Sequence, residues 1–185
     1  MPAFAYDELQ EMVRRWLDAN RRAQEAGNWQ PMADMFTEDA TYGWNVGPKE
    51  EFMAVGRDEI RNIALGLEMG GLDGWVYPYQ KVLIDPEQGE IIGLWKQIAD
   101  ATRPDGSPYV VAGFGGSWFR YAGNWQWSWQ RDFFDFGNVT SLFIEMIKAD
   151  ALSDGMRRRM ERSSSGGLLP GHYPLGKAPV DLWDV

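Results

Sequence analysis

The sequence predicts an α+β domain, with helices first and an antiparallel sheet after them. Two observations carry this. Near the start, Leu9, Val13, Trp16, Leu17 and Ala23 recur at three- and four-residue spacing, with Glu11, Arg14, Arg15, Asp18, Arg21 and Arg22 between them. Later in the chain, strand-like runs are cut by turns at Asp85-Pro86-Glu87-Gln88-Gly89, Pro104-Asp105-Gly106 and Ala122-Gly123-Asn124. Helices before strands argue α+β rather than a βαβ repeat.

Each element has its own signals. Asp7 with Gln10 reads as a capping box for the first helix, which Gly27 ends. Asn28 caps a short second helix that turns Met32, Met35 and Phe36 inward. Residues 40–46 form a first strand, broken by Gly47-Pro48. Gly56 precedes a third helix through Ile60, Ile63, Ala64 and Leu67, whose first turn holds Asp58 and Glu59, as the helix dipole favours. Four strands follow, over 75–84, 91–102, 109–121 and 125–136. Asn138 starts a helix carrying Leu142, Phe143, Met146 and Ile147, and Ser153 starts another rich in arginine. Gly113, Gly115 and Gly116 inside a strand mark either a bulge or room for a bulky ligand.

Composition narrows the function. The 185 residues suit one domain with a normal core, and ten of them are Trp. A net charge of −9 repels phosphate backbones and anionic lipid, so neither nucleic acid nor membrane is an expected partner. The chain has no Cys, which removes thiolate chemistry, disulfides and zinc–thiolate sites and fits the cytoplasm. A single histidine, His172, supports neither a His-rich metal site nor a Ser-His-Asp triad, so no metal and no cofactor is expected. The opening Met-Pro-Ala-Phe-Ala-Tyr-Asp-Glu has no basic or apolar leader segment.

Residues 1–162 read as the folded domain, and 163–185 as a tail. The tail opens on Ser-Ser-Ser-Gly-Gly and holds Pro170, Pro174 and Pro179, which forbid regular structure. Yet Leu168, Leu169, Tyr173, Leu175, Val180, Leu182 and Trp183 make it too apolar for a free end. It is expected to dock on a pocket mouth or on a partner subunit.

Three ordered motifs carry a family resemblance over roughly residues 7–150. They are Asn28-Trp29 through Phe36-Thr37-Glu38-Asp39-Ala40-Thr41-Tyr42, then Gly56-Arg57-Asp58-Glu59-Ile60, then Gln130-Arg131-Asp132-Phe133-Phe134-Asp135. Together they resemble the SnoaL-like, nuclear-transport-factor-two-like superfamily, and the last is similar to limonene epoxide hydrolase. The resemblance implies a cystatin-like α+β barrel: a cone-shaped, curved antiparallel sheet packed on N-terminal helices. It also implies a homodimer through the outer sheet face. This fold hosts hydrolases, isomerases, cyclases, dehydratases, lyases and plain binders.

Carried over residue by residue, the hydrolase pattern is incomplete. Asp132 matches one aspartate and Tyr42 the tyrosine, but Lys96 falls where an arginine belongs and Ile98 where the second aspartate belongs. The water-holding asparagine position falls on Trp44, or on Asn45 one residue along. The candidate catalytic set is thus Asp132 as base, Tyr42 as oxygen donor and Lys96 as electrostatic partner. Trp44, Asn45, Ile98, Phe114, Trp118, Gln130 and Phe134 are the expected substrate lining.

Alternation over 125–133 leaves two readings of Asp132. Trp125, Trp127, Trp129, Arg131 and Phe133 share one face, and Gln126, Ser128, Gln130 and Asp132 the other. With Trp toward the core, Asp132 meets water. With the resemblance followed, Asp132 points into a pocket, and a bulge can switch parity midway. The function expected is cofactor-independent acid/base chemistry on an apolar, ring-containing small molecule, by epoxide hydration, isomerisation, dehydration, cyclisation or a lyase step. The alternative is a non-catalytic binder that keeps the cone.

Overall fold

The computed structural model describes residues 3–164 and 166–183. The first two residues of the opening segment, Ser165 of the serine–glycine link, and Asp184 and Val185 of the tail lie outside the described residues.

Helix α1 (Tyr6–Ala26) buries Leu9, Met12, Trp16, Ala19 and Ala23 along one stripe. It starts from Ala5 with no side-chain cap, so the Asp7–Gln10 box does not form. Its other face carries exposed pairs such as Arg14 with Glu11 and Arg21 with Asp18 and Glu25. Pairs this exposed add little to stability, because water and salt screen them. The Asn28 side chain accepts from Gln30 N–H at 3.1 Å and opens a 3₁₀ segment, Gln30–Met35. The next helix starts as α2 (Arg57–Glu59) and continues with π spacing through Ile60–Leu67.

The strands are β1 (Phe36–Val46), β2 (Glu50–Val55), β3 (Tyr79–Asp85), β4 (Glu90–Trp95), β5 (Ile98–Thr102), β6 (Pro108–Val110), β7 (Gly115–Tyr121), β8 (Trp127–Phe134) and β9 (His172–Pro174). Seven of them form one curved sheet in the order β3-β4-β7-β8-β1-β2-β9. Its pairs are antiparallel except β1 with β8, which run parallel. β5 and β6 form a separate hairpin. Helices α3 (Phe136–Lys148) and α4 (Asp154–Ser164) follow β8. Asp135, not Asn138, caps α3, accepting from Asn138 N–H at 2.9 Å. The Ser153 hydroxyl accepts from Met156 N–H at 3.2 Å at the start of α4.

Three sequence expectations need correction. The predicted strands 91–102 and 109–121 each divide in two, because the chain leaves the main sheet after Trp95 to build the β5–β6 hairpin and returns at Gly115. β2 was not expected. It hides its alternation because Phe52, Met53 and Ala54 are all buried: the core covers one face and the tail the other. Glu51 on this strand is buried too, its carboxylate accepting the backbone N–H groups of Lys177 and Ala178 at 3.1 and 3.0 Å. Finally, the strand glycines make room for neighbouring rings rather than for a ligand. A Cβ on Gly115 would strike the Trp95 ring, and one on Gly116 the Phe133 ring, while Gly113 has φ +97° outside the strand.

Two apolar clusters result. The larger joins α1 to the inner sheet face, with Trp16, Phe36, Phe52, Phe119 and Trp127 at its centre. The smaller joins Leu72, Trp75, Ala99 and Tyr109 to Leu142, Met146 and Met156 of α3 and α4. The tail returns across the sheet edge. β9 pairs with β2, and Met53 N–H donates to the Gly171 carbonyl at 2.8 Å. Beyond it, Arg131 donates to the carbonyls of Asp181 and Leu182 at 3.2 and 3.0 Å. Among the described residues no helix is long and apolar enough to cross a membrane.

A chain ended after Gly167 loses β9, the partners of Glu51 and two acceptors of Arg131. Its thermal midpoint, read by calorimetry, should fall by at least the 2–4 °C that about 1 kcal/mol represents in a domain of this size. An unchanged midpoint would show that the tail contributes nothing to the fold.

Candidate functional site

The fate of Asp132 is decided four residues earlier. β7 pairs Arg120 with Trp129 and Tyr121 with Trp127, so Ser128 has no partner of its own. This bulge reverses side-chain parity along β8. Before it, Trp127 points inward, with ring centroids 4.8 Å from Phe119 and 6.0 Å from Trp16. After it, Trp129 points outward, edge-on to Trp118 at 5.0 Å and beneath the guanidinium of Arg131 at 4.4 Å. Gln130, Asp132 and Phe134 then face inward, onto a cavity. The single indole row of the alternation pattern is therefore split. Trp125 leaves it altogether, sitting in the turn at φ +62°.

The cavity holds about 620 Å³ and lies between the two apolar clusters. That volume suits a small molecule of drug-like size, within the roughly 300–1,000 Å³ of typical ligand sites. Trp16, Met32 and Leu65 line it from the first cluster, and Leu72, Phe143 and Met160 from the second. Tyr42, Trp44, Tyr77, Tyr79 and Trp95 add to its aromatic wall, and Leu169 and His172 of the tail contribute too.

Asp132 sits on that wall opposite Trp44 of β1 and Ser117 of β7. Its carboxyl accepts from the Tyr42 hydroxyl at 2.6 Å and from Gln130 Nε2 at 2.8 Å. The Ser117 hydroxyl bonds to it as well. These donors are all neutral. Asp132 is half-buried, and the rest of its surface is open to the cavity. Burial pushes its pKa above the ordinary aspartate value, and the bonds from Ser117, Tyr42 and Gln130 offset this only in part. Behind it, Trp95 Nε1 donates to Ser117 Oγ at 3.0 Å, and Trp16 Nε1 donates to the Tyr79 hydroxyl at 2.9 Å, which in turn bonds Ser117. Burial, then the Asp132 charge, push Tyr42 well above its usual value, and burial pushes Tyr77 up to about 12. The cavity phenols are therefore neutral donors at any ordinary pH.

A second polar group lines the cavity from the helices and the tail. Arg159 of α4 donates to Glu68 Oε2 at 3.1 Å and also to the Glu68 and Gly70 carbonyls. His172 of β9 brings Nε2 to 3.4 Å from Glu68 Oε1 and Nδ1 to 3.8 Å from Glu50 Oε2. Burial raises the Glu68 pKa, but the bonds and charges of His172 and Arg159 outweigh burial and hold it below the usual glutamate value. Among the described residues no three His, Cys, Asp or Glu side chains gather in a metal-holding arrangement.

The candidate residues thus divide. Asp132, Tyr42, Trp44, Gln130 and Phe134 converge on the cavity. Lys96 does not: alternation after β4 sends Trp95 and Gln97 inward and leaves Lys96 exposed outside. Ile98 is taken up by its bridge to Val76. Asn45 points out and bonds the Gly47 carbonyl. Phe114 is 82 % exposed, and Trp118 lies on the outer sheet face, donating to Glu90 at 2.9 Å. Sequence reasoning missed Ser117, Tyr79, Trp95, Glu68 and Arg159. Ser117 was findable, since it shares strand parity with buried Phe119 and Tyr121. Glu68 and Arg159 carry no local signal, because two distant helices bring them together.

Helices packed on a curved sheet around an aromatic cavity, with the Asp132 carboxyl on its wall, define an α+β cone. Its fold is that of the SnoaL-like, nuclear-transport-factor-two-like superfamily. Among solved structures, a proposed SnoaL-like polyketide cyclase from Jannaschia sp. CCS1 is similar at TM-score 0.55 and 15% identity, over 74% of this chain and 91% of that one. A nuclear-transport-factor-two-like protein from Anabaena variabilis follows at 0.53 and 18%, over 73% and 95%. A protein with a ketosteroid isomerase-like fold from Catenulispora acidiphila gives 0.52 and 15%, over 69% and 90%. At these identities the likeness is one of fold. No family model and no curated protein matches the chain.

The raised pKa of Asp132 has a stability consequence. Its folded-state value lies above its unfolded one, so its contribution is fully present at low pH, where both states are protonated. That contribution is lost as pH rises through the folded pKa. Asp132→Asn cannot ionise and escapes the loss. The melting temperature of the variant minus that of wild type should therefore grow from about pH 4 to about pH 8. A flat or falling difference would show that the carboxyl is not desolvated.

Proposed function

We propose that the protein is a cofactor-independent enzyme that moves a proton on an apolar, ring-containing carbonyl compound, with Asp132 as the base. The observation that carries this is a half-buried, desolvated carboxyl, held by neutral donors only, on the wall of an aromatic cavity. Such a carboxyl is a stronger base than a solvated aspartate, and its geometry is fixed before substrate arrives. General-base catalysis of this kind contributes roughly 10²–10⁴-fold in rate.

The step balances as follows. Asp132 takes a proton from the carbon next to a carbonyl, and the C–H electrons pass onto the carbonyl oxygen to give an enolate. Once protonated, Asp132 pulls less on the Tyr42 hydroxyl, and the enolate oxygen becomes the better acceptor for it. Return of the proton at another carbon isomerises the substrate; alternatively the enolate carbon attacks a second carbonyl to close a ring, and the proton passes from Asp132 to the new alkoxide. Epoxide hydration is the weaker reading, because it needs a second acid to protonate the leaving oxygen. Lys96 and Ile98 are off the cavity, and Glu68 is held ionised by its partners. The outer sheet face, where Leu83 and Phe133 are exposed, is the surface we assign to a homodimer, which sedimentation would test.

The test is solvent deuterium uptake. Cyclic ketones such as 2-tetralone, incubated in D₂O with the protein, should gain deuterium next to the carbonyl, read by mass spectrometry. Asp132→Asn should slow this by at least about 100-fold while still binding the ketone. Uptake by the variant at the wild-type rate would remove Asp132 from the chemistry. Binding without uptake by wild type would mark the protein as a binder.

A further inference from the structure

The charged groups lining the cavity do not balance. They are the carboxylates of Glu50, Glu68 and Asp132, against the guanidinium of Arg159 and the imidazole of His172. Arg159 is occupied by the Glu68 carboxylate and two carbonyls. His172 lies between Glu68 and Glu50. Three carboxylates thus face one guanidinium and one imidazole, and both of these stand with the glutamates. The unmatched charge is that of Asp132, whose partners are neutral hydroxyl and amide groups. Lys96, the cation expected beside it, is outside.

A second observation points the same way. Gln130 is 2 % exposed and spends its Nε2 on Asp132, while its Oε1 is buried with no hydrogen-bond donor. Beside it on the cavity wall stands the Asp132 carboxylate, which has no cation partner. Around them stand the rings of Tyr42, Trp44, Tyr79 and Trp95. Ring faces attract a cation and repel an anion, most strongly where water is excluded.

We infer that the ligand of this cavity carries a protonated amine beside its ring system, and that Asp132 with the surrounding aromatic faces receives it. This deepens the proposed function, resting on the same cavity as the substrate site. The ammonium supplies the positive charge that the protein leaves out. It offsets the desolvation that opposes the charge on Asp132. A free carboxylic acid or phosphate on the ligand would meet the opposite field.

The test uses two isosteric probes: N,N-dimethylbenzylamine, protonated at neutral pH, and isobutylbenzene, which has C–H where the first has N⁺–H. Titrations followed by tryptophan fluorescence should show the amine binding at least about tenfold more tightly, a preference that Asp132→Asn abolishes. Equal or tighter binding of isobutylbenzene overturns the inference, as does an undiminished preference in the variant or no saturable binding of the amine. The wild-type comparison stands even where the variant does not fold. Deuterium uptake without amine preference sinks this inference and leaves the proposed function. Amine preference without uptake does the reverse.

Discussion

One extra residue in β8 sets the organisation of the site. The helix α1 needs a large ring from this strand at Trp127, and the cavity needs a carboxyl from it at Asp132. Those two positions differ by an odd number, so a regular strand puts them on opposite faces. The unpaired Ser128 absorbs the difference. It lets Trp127 complete the core with Trp16 and Phe119 while Asp132 and Gln130 look into the cavity from the same side. It also sends Trp129 and Arg131 outward, where they stack on each other and Arg131 holds the returning tail. Core, site and tail attachment therefore share one register break.

The cavity exists because rings are spaced by missing side chains. Gly93 leaves room for the Tyr79 ring and Gly115 for Trp95, and both rings then stand along the wall near Asp132. The same two rings hold the polar side of the site in place. Trp95 donates to Ser117, and Tyr79 links Trp16 to Ser117, so the carboxyl is reached from α1 through a chain of buried donors. Such chains are rigid because each member lacks an alternative partner in a low-dielectric interior. A Cβ at Gly93 would displace Tyr79 and with it the first link of this chain.

The fold was legible where periodicity was local. The α1 stripe, the turns and the motif order led to a helical layer on a sheet, and Asp132, Tyr42, Trp44, Gln130 and Phe134 all reach the cavity. What stayed hidden has two physical sources. Positions read by transfer between strands depended on register, and the split of 91–102 around Trp95 moved Lys96 and Ile98 away from the places alignment gave them. Residues recruited by tertiary contact gave no pattern at all. Glu68, Arg159 and His172 meet only because α4 and the tail fold back over the π-helical segment. The buried run of β2 likewise shows no alternation, since the tail that covers its second face lies more than a hundred residues on.

The two polar groups in the cavity differ in a way that separates structure from function. Glu68 is buried, but Arg159 and His172 repay its desolvation, and its pKa falls. Asp132 is buried with neutral partners, and its pKa rises. A protein selected only for stability has no reason to keep the second arrangement. A neutral side chain would escape the penalty of ionisation, and paired cations are available elsewhere in the chain. Perturbed carboxyls in enclosed sites are the pattern expected of groups kept for chemistry, paid for in stability. The Glu68 cluster locks the tail against the body, while the Asp132 cluster holds a strained charge ready for something the protein itself does not contain. That asymmetry, more than the likeness of fold, is the reason to read the cavity as a working site and to read its ligand as the missing partner of Asp132.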